Sequence, residues 1–329
     1  MSHDFNRREW LGTIGSLAFG MTLPVSKTMA QSDIYPSKPI KVIIPLPAGG
    51  AADASVRIFS ESFATNAKQS LVLDNKPGGI FQIAMQAMSQ APADGYTLIH
   101  LNSGMASAQA VNKKFDLLKQ LTPVALMGST DGILAASPSA PFKTAQELIS
   151  WARANPGKLN YGSAGPGSIE HLTTFALLKK YGLTGTHIPF KGGPDAMTAL
   201  AQGEIHMFIT AVPLVWQFMQ KNLARPLGIM VDKRSPLMPE VPTMKEQGID
   251  LPTLQFWGGM AAPAGTPKPV VDLLQNLIAV SLKNPALQSR FASLGMVPAV
   301  SSSEEFARQI NDDLKWMTSA AQELDLKQV

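Results

Sequence analysis

Three short stretches put glycine, alanine, serine or asparagine where an apolar run gives way to a helical one: PLPAGG at 45–50, NSG at 102–104 and GSAGPGS at 162–168. At such a junction the unpaired backbone N–H groups of the coming helix and its dipole converge on one point, which attracts anions. Gly49, Gly50, Gly165 and Gly167 let a ligand approach the backbone, and Ser163 and Ser168 add hydroxyl donors. None of the three fits a phosphate-binding P-loop, because the required GK[ST] ending is missing. None fits a dinucleotide turn either, because the G-x-G-x-x-G spacing is missing. A nucleophilic reading of Ser163 or Ser168 with His171 lacks both the G-x-S-x-G elbow and any acidic orienter besides adjacent Glu170. Donors without an activated nucleophile bind acids rather than cleave esters.

The elements that would carry these loops are short apolar runs alternating with helical spacing. Strands are expected at 40–46, 70–74, 97–101, 132–137, 159–161, 186–189, 205–210, 226–231 and 254–260. After Asp53, read as an N-cap, Val56, Phe59 and Phe63 recur at helical spacing, as do Leu172, Phe175 and Leu178 after Ser168. Strand then helix, repeated, predicts α/β architecture with largely parallel sheets. The last third reads as helices at 267–282, 285–294 and 303–324, packed outside the first lobe, and SSSEE at 301–305 marks the start of the final one.

The ends and the composition narrow the function. Arg7 and Arg8 precede an uncharged run from Leu11 to Pro24, so residues 1–30 read as a signal peptide of twin-arginine type, and the mature chain is expected to be exported. The absence of cysteine among 329 residues excludes disulfides, thiolate metal sites and a lipoprotein anchor. His3, His100, His171, His187 and His206 show no ligand spacing, so no metal and no cofactor is expected. A net charge of +4, part of it from Arg7, Arg8 and Lys27, with no basic run interleaved with aromatics, points away from nucleic acid.

Several motifs carry a resemblance. YPSKPIKVIIPLPAGG (35–50), NKPGG (75–79), ADGYTL (93–98), PGKLNYGSAG (156–165), PFKGG (189–193), RSP (234–236) and APAGTP (262–267) are similar, in this order, to the solute receptors of tripartite tricarboxylate transporters, the Bug family. The resemblance implies a type II periplasmic binding protein: two α/β lobes joined by two crossing strands, with the ligand in the cleft between them. Lobe 1 is expected at 33–129 and 231–329 and lobe 2 at 130–230, with crossings near 127–131 and 228–232. By position, the ligand contacts would be Pro47, Ala48, Gly49, Gly50, Asn102 and Ser103 from one lobe, and Ser163, Ala164, Gly165, Gly167, Ser168 and Thr210 from the other. The implied partners are a small organic acid and membrane transporter subunits. A monomer is the usual state for such receptors, and presentation of the ligand to an extracytoplasmic signalling domain is the alternative output.

Two departures from the family pattern bear on the ligand. Where the family often carries FDN, this chain has FIT at 208–210, so Thr210 removes a negative charge from the expected cleft. Leu46 and Ala48 replace bulkier residues. Both favour a less polar acid, aromatic or medium-chain dicarboxylic, with Phe208, Met105 or Trp257 near its body, although Trp257 reads equally as a core aromatic. Lys191 is a weak candidate donor, since most lysines are simply solvated.

Overall fold

The computed structural model describes residues 35–326, so the signal-peptide expectation lies outside the described residues. The first wing begins with β1 (Ile40–Ile44), α1 (Ala51–Ala67), β2 (Leu71–Asn75), α2 (Gln82–Ser89), β3 (Thr97–Asn102), α3 (Ser103–Asn112) and a single turn α4 (Leu117–Gln120). The long strand β4 (Leu121–Ala136) leads into a second wing: α5 (Ala145–Ala154), β5 (Leu159–Ser163), α6 (Ile169–Lys180), β6 (Gly185–Pro189), α7 (Gly193–Gln202), β7 (Met207–Ala211), α8 (Val212–Met219) and β8 (Arg225–Ile229). The chain returns through β9 (Gln255–Pro263), α9 (Lys268–Leu282), α10 (Pro285–Ser293), the short β10 (Val297–Pro298) and α11 (Ser303–Glu323).

One sheet runs in the order β2-β1-β3-β9-β4-β7-β5-β6, and β8 and β10 also pair with β4. In each wing three strands run parallel and a fourth lies antiparallel beside them: β9 next to β3, and the end of β4 next to β7. β4 belongs to both wings, pairing with β9 up to Asp131 and with β7 from Gly132. Segment 231–254, expected with the first lobe, is tied to the second wing instead. Thr243 bridges Ile229, the Gln146 side chain reaches the Gln247 carbonyl, Lys180 pairs with Asp250, and the Gly132 N–H donates to Leu254.

Central strands such as β1, β3 and β7 are rich in aliphatic and β-branched residues and buried on both faces, whereas the edge strands β2 and β6 hold no buried residue. In β1, Ile40, Val42 and Ile44 enter a core beneath α1, α9 and α10, while Ile43 enters the core on the opposite face with α3. That second core runs under both wings, from Met105 and Trp257 to Leu134, Leu159 and Leu172, and α11 seals it with Phe306, Ile310 and Met317. α11 starts with a capping box between Ser302 and Glu305, as its sequence signature predicts. It does not stay on the first wing: it packs on α3, on β4 and on α6, where Glu323 pairs with Lys179. Asp53 is a further correction, because the N-cap of α1 is Gly50 and Asp53 stands inside the first turn.

Candidate functional site

The glycine-rich loops follow the C-terminal ends of the parallel strands, the edge at which open α/β sheets bind ligands. After β1, Pro47, Ala48, Gly49 and Gly50 are all exposed. Gly49 has φ +86°, a left-handed turn that favours glycine. α1 then begins with no side-chain cap among the described residues. Its first helical bond runs from the Ala54 N–H to the Gly50 carbonyl, so the N–H groups of Gly50, Ala51, Ala52 and Asp53 have no intrahelical partner.

One donor of this loop is taken by the protein. The Gly49 N–H donates to the Asp53 carboxylate at 2.9 Å, which also accepts Arg57 Nε at 2.8 Å, Arg57 Nη2 at 3.0 Å and Asn75 Nδ2 at 3.0 Å. The Arg57 guanidinium, helped by the Gly49 N–H and Asn75, holds the Asp53 carboxyl down to about 2 against the opposing effect of burial. Asn75 also donates to the Leu46 carbonyl, pinning the β1 loop to the end of β2.

After β3, Asn102 caps α3 by accepting the Met105 N–H at 3.3 Å, while its Nδ2 is buried with no partner among the described residues. Buried side-chain donors are as a rule paired with protein or ordered water, so this orphan marks Asn102 as a candidate contact. Ser103 is buried beside it.

The loop after β5 has spent most of its donors internally. Ser163 is fully buried; its hydroxyl donates to the Gly165 carbonyl at 2.9 Å, accepts the Gly165 N–H at 3.0 Å and meets His187 Nε2 at 2.6 Å. The Gly167 N–H donates to His171 Nδ1 at 3.1 Å, and its carbonyl accepts the Ser107 hydroxyl. Ser168 caps α6 by accepting the His171 N–H. Of the expected donors here, Ala164 keeps an N–H with no partner among the described residues. His171, weighed in the sequence as a base for Ser168, is instead an acceptor for the loop, and the histidine beside a serine is His187 at Ser163. That hydroxyl is saturated and out of contact with solvent, so it makes no nucleophile.

Thr210, on β7, faces a junction that sequence reasoning passed over. α7 opens at Gly192 with no side-chain cap, and a Cβ added at Gly193 would lie 3.8 Å from Thr210 Oγ1. Its sequence signal, the PFKGG run between a strand and a helix, is of the same kind as the loops that were singled out. Exposed Lys191 precedes it.

The expected apolar wall is absent from the surface. Met105 and Phe208 are fully buried in the core, and Trp257 packs on Phe306 and donates its indole N–H to Asp313 at 2.6 Å. Two surface hollows, of about 540 Å³ beside Lys113 and Lys119 and about 440 Å³ between α6 and α11, include none of the expected ligand residues. No cluster among the described residues has the side chains to hold a metal ion.

Paired wings with an antiparallel strand beside the parallel ones, and glycine loops at the strand ends, define a mixed α/β fold of the periplasmic solute-binding class. The chain belongs to the tripartite tricarboxylate transporter receptor family, whose pattern it matches over residues 56–326. It is similar to BugT of Bordetella pertussis, 28% identical over 312 residues that cover 94% of each chain. Among solved structures it resembles Rpa4515 of R. palustris with adipate, 28% identical with a TM-score of 0.76, covering 88% of this chain and 98% of that one. It also resembles MatC of Rhodopseudomonas palustris with bound malate, 25% identical with a TM-score of 0.73, covering 87% of this chain and 100% of that one. Receptors of this family are periplasmic, bind small carboxylates and work with transporter subunits. No helix among the described residues is long and apolar enough to cross a membrane.

Proposed function

We propose that this protein is a periplasmic receptor that takes up a dicarboxylate between its two wings and delivers it to the membrane subunits of a tripartite tricarboxylate-type transporter, with no chemical step of its own. The observation that carries this reading is the bare N-terminus of α1: exposed Pro47–Gly50 followed by first-turn N–H groups that no side chain among the described residues caps. The second carboxylate would meet the Ala164 N–H, the α7 N-terminus and Thr210. The wings would act as lobes 35–131 with 255–326 and 132–254, crossing where β4 changes partner and where β9 begins. Export by the Arg7-Arg8 segment completes the reading.

Two observations favour a less polar acid: Thr210 brings no charge to the site, and one similar structure carries adipate. Because Met105, Phe208 and Trp257 are enclosed, an aliphatic chain of adipate length suits the site better than an aromatic ring.

Ala51→Pro is the direct test. Proline is tolerated at the first helical position and lacks the N–H, and Gly50 already has the extended φ −78°, ψ 168° that a following proline requires. Calorimetry with adipate should show affinity reduced by about tenfold or more, the worth of one hydrogen bond to a charged group, at unchanged melting temperature. Equal affinity in the variant, or no binding of any C4–C8 dicarboxylate by the mature protein, would remove the reading.

A further inference from the structure

Behind the β5–α6 loop three rings are stacked. The His171 ring of α6 and the His187 ring of β6 lie 3.7 Å apart between centroids with planes 11° from parallel, and Tyr161 of β5 stacks on His187 at 5.3 Å. Two imidazoles face to face at this distance repel each other strongly if both are charged.

The contacts of His171 define its protonation state. His171 Nδ1 accepts the Gly167 N–H, so it carries no proton, and the ring is the neutral Nε2–H tautomer. The Ser163 hydroxyl accepts the Gly165 N–H at 3.0 Å and lies 2.6 Å from His187 Nε2 and 2.9 Å from the Gly165 carbonyl, so His187 and the loop share one hydroxyl. Burial favours the neutral state of both rings: it lowers His187, and together with the neighbouring imidazole it holds His171 down to about 4.

Gly167 is held on three sides. Its N–H is bound by His171, its carbonyl by Ser107 of α3, and its Cα, at φ +75°, lies so close to Val111 of α3 that an added Cβ would meet a methyl carbon at 2.8 Å. Capping α6 requires none of this, since Ser168 already does so.

We propose that His171 and His187, as a stacked neutral pair, are positioning residues of the ligand site: they fix the β5–α6 loop in the one conformation that consumes its Gly165 and Gly167 donors and leaves Ala164 to the ligand. The inference rests on the receptor reading given above. Tyr161 on β5 is the titratable group that stacks on the pair, Glu170 precedes His171 on α6, and α3 contributes Ser107 and Val111 against Gly167. Burial pushes the Glu170 carboxyl up, so in acid it supplies no negative charge to support an imidazolium. Protonation of His171 Nδ1 would set a donor against the Gly167 N–H and release the loop.

The test uses two variants of the mature protein. His171→Asn places an amide oxygen where Nδ1 stands and does not titrate, whereas His171→Leu fills the space without an acceptor. In the ligand-free wild type, the imidazole ¹⁵N spectrum should show His171 Nδ1 unprotonated at pH 7. Exchange of the Gly167 amide should be about fivefold or more faster in the Leu variant, the worth of one lost hydrogen bond, and near wild type in the Asn variant. For adipate, the ratio of wild-type to Asn-variant affinity cancels the ligand's own titration and should fall by about twofold from pH 7 to pH 4. If the Leu variant does not fold, the imidazole spectrum and the Asn variant decide. A protonated Nδ1 at neutral pH, Gly167 exchange that ignores the acceptor, or a pH-independent affinity ratio would overturn the proposal. The loop measurements need no ligand, so their failure leaves the receptor reading standing. Failure of the wild type to bind any acid strikes that reading and leaves the loop result intact.

Discussion

Replacing Asp53 by asparagine isolates the largest charge interaction at the candidate site. The carboxylate is 2% exposed and binds the Gly49 N–H, both Arg57 nitrogens and Asn75. Holding it from 3.8 down to about 2 corresponds to about 2.5 kcal/mol at ~1.36 kcal/mol per pH unit. The Arg57 side chain is 51% exposed and screened by water, which reduces the expected cost of Asp53→Asn to about 1–2 kcal/mol. Asparagine still accepts the Gly49 N–H, so the loss belongs to the ion pair. The sign follows from linkage: a carboxyl depressed in the native state stabilises above its unfolded value and loses that stabilisation as the pH falls through its native value. Urea unfolding at pH 6 should therefore show the full difference between wild type and variant, with a melting-temperature drop of about 2–6 °C. The difference should shrink below pH 4 and close near pH 2. A difference that stays constant from pH 6 to pH 2.5, or that is absent at pH 6, would refute the ion-pair account.

The loop and the histidines give two more predictions. Gly167→Ala combines a left-handed φ, worth about 1–2 kcal/mol for a residue with a Cβ, with overpacking against Val111 of about 1–3 kcal/mol. Adding Val111→Ala should recover the steric part and not the backbone part, giving a favourable coupling above about 0.5 kcal/mol in a double-mutant cycle, and strict additivity would show that the contact is relieved elsewhere. His100 and His171 are both held near 4, below the unfolded value of about 6.5. The native state thus binds fewer protons than the unfolded chain, and stability should fall as the pH drops from about 6.5 towards 4, partly offset by the raised carboxyls of Glu170 and Asp313. Denaturant titrations at pH 7, 5.5 and 4.5 would show this slope, and His171→Asn should flatten it; equal slopes would remove His171 from the account.

Much of the fold was legible because its signals are local. The apolar run of β1, the helical spacing of Val56, Phe59 and Phe63, and the serine and glutamate pair that starts α11 each specify an element without reference to distant residues. The alternation of strand and helix, the exclusions that follow from having no cysteine, and the family motifs from 35 to 267 are properties of order and composition, which no packing can change.

Which donors stay free is settled by tertiary contacts. Gly165 and Gly167 looked equivalent to Gly49 and Gly50 as sources of N–H groups. The second loop, however, lies against His187 and His171, brought from β6 and α6, and against Ser107 from α3, whereas no side chain among the described residues caps the start of α1. Asp53 capped Gly49 rather than its own helix because Arg57, one turn on, and Asn75, a strand away, fix where its carboxylate points. Met105, Phe208 and Trp257 turned inward because both faces of the sheet are covered, and an aromatic or thioether side chain gains more from a dry core than from a wet cleft. Residue types along the chain name the groups able to hydrogen-bond. Only the folded arrangement decides which of them the protein has already satisfied, because a donor's availability depends on neighbours that sequence distance does not encode.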